Sequence, residues 1–215
     1  MIGLSEFVFG AVIGEDIVLL DTRADRYHAL VGAVHAQERD ASVDGIAWSL
    51  VPAAASALVE AGLASREAGR GFSEMLPPTA VVSLAECEHA AAGPRDYVDL
   101  TVAVGSAWWR LRRGLAFRSH HAMRPPISKP IAGGLVGALD ALRRTRTFLP
   151  TPRRCLPASL TTSAFLARRG VATHIVFGVR AYPFEAHCWV EHEGIVVDDD
   201  LAKVSAFQPI MVARP

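Results

Sequence analysis

The chain has 215 residues, half of them apolar and a fifth charged, which suits one large core-forming domain or two small ones. Its 22 basic and 22 acidic residues cancel, which argues against a dedicated nucleic-acid binder. Cys87, Cys155 and Cys188 are too few, and odd in number, for a disulfide framework.

The first residues, MIGLSEFVFGAVIGED, have no basic segment ahead of the apolar run, so no signal peptide is expected. The apolar run 46–64 is interrupted by Ser49, Pro52, Ser56, Glu60 and Gly62, so no membrane span is expected either. A cytoplasmic protein is the expectation.

Phe7–Ile13, Asp16–Asp21 and Arg26–Leu30 are β-prone runs separated by turn signals, a small antiparallel meander. Val31–Glu38, Ser42–Val51 and Ala53–Ala61 read as helices, with Gly62 as the last C-cap. Three strands and three helices predict a winged-helix-like module. Arg66–Pro78, polar and broken by Gly and Pro, reads as a linker, and Thr79–Leu84 as one more strand. The expected division is 1–80 and 81–215.

The second half is helical first. Asp96–Arg113, Gly133–Arg146 and Leu156–Arg169 carry apolar residues at helical spacing, and Gly170 closes the third. The basic, proline-rich segment Arg118–Pro130, with His120 and His121, reads as a loop. Trp108 and Trp109 read as core residues. The arginines of 109–113 and 143–146 read as a solvated face, with contact to a partner enzyme as the alternative. Ala172–Val179, His187–Glu191 and Ile195–Asp198 are then strands, with a hairpin at Gly194. Helices followed by an antiparallel sheet predict an α+β domain.

Three elements of this half suggest chemistry. Cys155 opens a helix, where the dipole and free N–H groups favour a thiolate. His187 lies on a strand, and Asp198, Asp199 and Asp200 end the next one. A cysteine nucleophile needs a base, and the base needs a third group to fix its tautomer. Strand alternation sends His187, Trp189 and Glu191 to one face and Cys188, Val190 and His192 to the other. Cys155 can therefore meet His187 if its helix packs on the His187 face. His187 and His192 face opposite ways, which argues against a metal site with Cys188. There is no Gly-rich phosphate loop.

RRCLPASLTTSAFLARRG and HIVFGVRAYPFEAHCWVEHEGIVVDDD closely resemble the C-terminal part of lasso-peptide processing B proteins, within the transglutaminase-like cysteine protease superfamily. Cys155, Leu156, Ser159 and Leu160 match one element of the family pattern, and Gly178 and Val179 a second. Pro183, Phe184, Ala186, His187, Trp189, Val190, Glu191 and Gly194 match a third. The resemblance covers about residues 95–215. It implies a transglutaminase-like or papain-like fold and a Cys-His-Asp triad with Cys155 and His187; spacing selects Asp199 as the acid, with Asp198 in reserve because a strand slip of one residue would exchange them. Cys188 departs from the family's usual Ala, and Asp198 stands where Asn is common.

IVLLDTRADRYHALVG resembles a PqqD-like recognition module. That resemblance implies a leader peptide added as a strand beside Arg26–Leu30, against the helix Ala53–Ala61. Arg26, Tyr27, His28, Leu30 and Leu58 are the expected contacts. A DNA-binding winged helix is disfavoured by the lack of Lys or Arg in AAASALVEA.

The expected function is cleavage of leader from core in a lasso-peptide precursor. No intrinsic cofactor is expected. ATP-Mg belongs to the expected partner, an ATP-dependent macrolactam synthetase. Transglutaminase-type acyl transfer by the same triad, and a non-catalytic precursor-binding scaffold, are the alternatives.

Overall fold

A computed structural model describes residues 2–39, 46–66, 69, 71–72, 93–114, 119–121, 133–148, 152 and 154–214; of 36–39, 46–48, 119–121 and 133 it describes the backbone alone. Strand β1 (Gly3–Leu4) leads into an antiparallel meander of β2 (Val8–Ile13), β3 (Asp16–Asp21) and β4 (Arg26–Leu30). Gly14, at φ 63°, makes the two-residue turn that pairs Ile13 with Asp16. Strand β4 pairs with β3 alone, so its outer edge carries no strand among the described residues.

A hairpin of β5 (Val34–Arg39) and β6 (Ile46–Leu50) follows, then α1 (Pro52–Glu60) and β7 (Ala64–Ser65), which pairs with β1. This corrects the expected helices over Val31–Glu38 and Ser42–Val51. Pro52 is the reason at one end. The residue before a proline is pushed out of helical backbone, and Val51 sits at φ −56° and ψ 131°. A helix over 42–51 could not run on into α1. The described residues of this half thus form strands and one helix, not three helices. Leu4, Val8, Ile17, Leu19, Leu58 and Leu63 make its core.

The second half begins with α2 (Pro94–Arg112), whose Asp96 carboxylate accepts the Gly93 N–H at 2.8 Å. Strand β8 (Ser119–His121) and helix α3 (Gly133–Phe148) come next. Helix α4 (Cys155–Ala167) is buried along most of its length. Strands β9 (His174–Arg180), β10 (Glu185–His192) and β11 (Ile195–Val196), helix α5 (Leu201–Val204) and strand β12 (Gln208–Arg214) complete the chain. The sheet runs β11-β10-β9-β12-β8. The run at 119–121, expected as loop, is its edge strand, and β12, not foreseen, is an interior one.

Each face of this sheet has its own core. Leu160, Phe165, Ile175, Phe177, Cys188 and Val190 pack together on one side, with α4. Val176, Trp189, Val204, Phe207 and Val212 pack on the other. Arg168 Nε donates to Asp99 Oδ1 at 2.8 Å and Arg169 to Asp96 Oδ1 at 2.6 Å, tying the end of α4 to the first turns of α2. Phe9, Ala11, Val18 and Leu20 of the meander belong to the same core as α4. The boundary expected at residue 80, most of the linker and the strand Thr79–Leu84 lie outside the described residues, as does Cys87. No described helix is long and apolar enough to cross a membrane.

Candidate active site

Cys155 is the first residue of α4 and is half-buried. The last turn of α3 and the segment after β11 close round it. Arg146, Cys155, Ala158, Ser159, His187, Asp198 and Asp199 line one cavity of about 380 Å³.

Helix α4 does not pack on the His187 face of β10. It packs on the opposite face, where Ser159 Oγ donates to the Cys188 carbonyl at 3.3 Å and Cys188 shares a core with Leu160. His187 stands on the other side with Trp189 and Phe207, its ring 5.4 Å from that of Phe207. The expectation assumed that facing required packing. A residue at the end of a helix is not confined to the packed face. The Cys155 sulfur shares its cavity with the two consecutive residues of β10, His187 and Cys188, and is electrostatically coupled to both.

The three aspartates diverge. Asp199 Oδ2 meets His187 Nε2, and its other oxygen accepts the Asp200 N–H at 2.9 Å. Lys203, one turn into α5, lies 3.4 Å from the same carboxylate. Asp198 turns inward, where its Oδ1 accepts the Val190 N–H at 2.8 Å. Asp200 caps α5 through the Ala202 N–H at 2.8 Å. With Nε2 engaged by Asp199, Nδ1 is the ring nitrogen left for Cys155.

The electrostatics follow from these contacts. The Cys188 thiol and then His187 hold Cys155 down at about 4, against the opposing effect of burial. Asp199 first, and then Cys155, raise His187 to about 9. Burial pushes Asp199 up, but the hydrogen bond from His187 outweighs it with the Asp200 N–H, and the carboxyl ends below its ordinary value. Burial dominates at Asp198 and lifts it to about 6, although the Val190 N–H and Arg146 pull the other way. At neutral pH the centre is a thiolate beside an imidazolium.

Residues 99–212, more than half of the chain, match the family described as the transglutaminase-like superfamily. The chain belongs to that superfamily. Cysteine-protease or acyl-transfer chemistry is typical of that superfamily. No curated protein and no solved structure matches the chain.

Of the remaining expected site residues, four lie on β4 and Leu58 on α1. Tyr27 leans toward the transglutaminase-like half. Its ring meets that of Phe184 edge-on at 5.6 Å, and burial, with the charges of Cys188 and Cys155, raises its hydroxyl pKa. Arg26 is exposed, and His28 and Leu30 are half-buried along the open β4 edge. Leu58 is a correction. It is 1 % exposed, in the core against Ile17 and Leu19, so it supports the module from within and offers no surface to a peptide.

Arg146 is a second correction. Its guanidinium donates to Thr162 Oγ1 on α4 and lines the cavity, so it does not belong to a solvated face. The third is Trp108 and Trp109, each 54 % exposed, under Arg112 and Arg113. The helix presents Leu100, Ala103 and Ala107 inward instead. Sequence reasoning also passed over Lys203. Its signal was the Asp199–Lys203 spacing of four at the start of a short helix.

Proposed function

We propose that this chain is a leader peptidase, cleaving the leader from the core of a lasso-peptide precursor. The single observation that carries the reading is the Cys155–His187–Asp199 line at the first turn of α4. The resemblance of residues 95–215 to lasso-peptide processing B proteins supplies the substrate.

The Cys155 thiolate attacks the carbonyl of the scissile peptide bond. The Cys155 N–H, at the start of the helix, stabilises the oxyanion. His187, charged in the resting centre, gives its Nδ1 proton to the leaving amine, which frees the core N-terminus. It then takes a proton from the water that cleaves the thioester. Asp199 holds the Nε2 proton throughout and so fixes ring orientation and tautomer.

The meander acts as a PqqD-like leader-binding module despite its single described helix. Its open β4 edge offers unpaired backbone groups to an added strand. Arg26, Tyr27, His28 and Leu30 line that edge, and Tyr27 reaches toward the thiolate. A leader paired there would run close to Cys155. The freed core passes to an ATP-dependent macrolactam synthetase, which uses ATP-Mg; the peptidase itself works without a cofactor, in the cytoplasm.

The test is mass spectrometry of the precursor incubated with this protein, the synthetase and Mg-ATP, for wild type and Cys155→Ala. Release of free leader by wild type alone supports the reading. Release by both, or by neither while leader still binds, overturns it in favour of a carrier of the precursor. A product lighter by ammonia, with the leader retained, is acyl transfer by the same residues.

A further inference from the structure

The cavity holds a second sulfur that the peptidase cycle does not use. Cys188 is buried at 2 % exposure, and its coupling to the Cys155 sulfur raises its thiol pKa. Its Sγ lies 3.9 Å from Ser159 Oγ, and Ser159 is one helical turn beyond Cys155. Both cysteines are free, and both line the same cavity, Cys155 as its half-exposed member.

From this placement we infer that Cys155 and Cys188 form an oxidation site for hydroperoxides, closing to a reversible intramolecular disulfide. The Cys155 thiolate attacks one oxygen of the peroxide. The O–O bond breaks, and the hydroxide released takes the proton of the His187 imidazolium and leaves as water, giving a sulfenic acid on Cys155. The Cys188 sulfur then attacks the Cys155 sulfur. The S–O bond breaks, and the second hydroxide leaves as water with the Cys188 proton. Two thiols supply the two electrons that reduce one hydrogen peroxide to two waters.

The order of events follows from the surroundings. Cys155 is the sulfur held as thiolate, while the coupling to it, burial and its negative charge keep the proton on Cys188. Sulfenic acid formation removes that charge and frees Cys188 to attack. A lone active-site thiolate with no resolving thiol goes on to sulfinic and sulfonic acid, which thiol reductants do not reverse. Here the neighbouring sulfur intercepts the first step.

The experiment uses the reduced full-length chain, hydrogen peroxide as the oxidant, and peptide mapping without reductant. The expected result is a Cys155 peptide joined to a Cys188 peptide, lighter by two hydrogens and separated by dithiothreitol. Cys155 as sulfinic or sulfonic acid with Cys188 still a thiol would overturn the inference, as would a cross-link that always involves Cys87. This readout needs no substrate, so it stands or falls apart from the peptidase reading. Activity supplies a second measure, each protein compared with its own untreated sample. After peroxide and then dithiothreitol, wild type should regain most of its turnover and Cys188→Ala less than about a tenth. Equal recovery in the two would also overturn the inference.

Discussion

At the scale of single residues, the thiolate–imidazolium pair sets the pH dependence. Cys155 at about 4 and His187 at about 9 define the interval in which both carry charge. Leader release should rise as pH climbs through about 4, where the thiol ionises, and fall beyond about 9, where the imidazolium loses the proton it owes the leaving amine. A pH profile of kcat/KM checks this; one ascending limb near the ordinary thiol value would mean that Cys155 is unpaired. The largest influence holding Cys155 down is Cys188, so Cys188→Ala should move the acid limb upward. The neighbouring aspartates separate by role. Asp199→Asn, which disturbs the tautomer of His187, should lower kcat about 10²- to 10⁴-fold. Asp198→Asn keeps an acceptor for the Val190 N–H and should cost less than about tenfold. Reversal of that ranking in steady-state kinetics would give the third place in the triad to Asp198.

At the scale of elements, the reading of the meander carries its own expectation. If the leader adds to β4, backbone amides in Arg26–Leu30 should exchange more slowly when a leader peptide is present, while those of β2, on the far side of β3, should not change. Hydrogen exchange read by mass spectrometry measures both strands at once, and unchanged β4 exchange with a bound peptide would move the leader elsewhere. Elements whose pattern is local were legible in the sequence. Helices α2 and α3 have apolar residues at helical spacing, α4 is an apolar run closed by Gly170, and Gly194, at φ 83°, and Glu193, at φ 51°, make the two-residue turn of the β10–β11 hairpin. The strands missed were those decided by distant partners. β5 and β6 pair with each other across a connection, and neither has strict alternation in its sequence. β12 contains Pro209, a residue that demotes a run as an interior strand. The structure accommodates it where the register with β9 shifts between Pro209 and Met211. In the candidate site, Cys155, His187 and Asp199 were legible because helix starts and strand ends punctuate the sequence. The wall formed by Arg146 was not, because an arginine at the end of an amphipathic helix looks the same whether it faces water or a cavity.

At the scale of the whole molecule, the two halves share more than a chain. Phe9, Ala11, Val18 and Leu20 of the meander sit in one core with Leu100, Leu160 and Val190. Asp16, at the start of β3, accepts the Tyr182 hydroxyl at 2.5 Å and the Gly32 N–H at 2.8 Å, and Tyr27 meets Phe184. Tyr182 and Phe184 lie in the turn just before the strand that carries His187. The β4 edge is therefore held against the β9–β10 hairpin by buried apolar contact and two aromatic side chains, not by a tether alone. A core that spans both halves should melt as one unit. Phe9 is 1 % exposed within it, and its truncation leaves a void that the neighbouring β3 and β12 residues fill only in part. Phe9→Ala is expected to cost about 3–5 kcal/mol and to lower a single thermal transition, followed identically by far-ultraviolet circular dichroism and by tryptophan fluorescence. The fluorescence reports on Trp108, Trp109 and Trp189 in the transglutaminase-like half as well as on Trp48. Two transitions, with only the first moved by Phe9→Ala, would mean that the meander folds by itself and that leader capture and cleavage are joined only loosely.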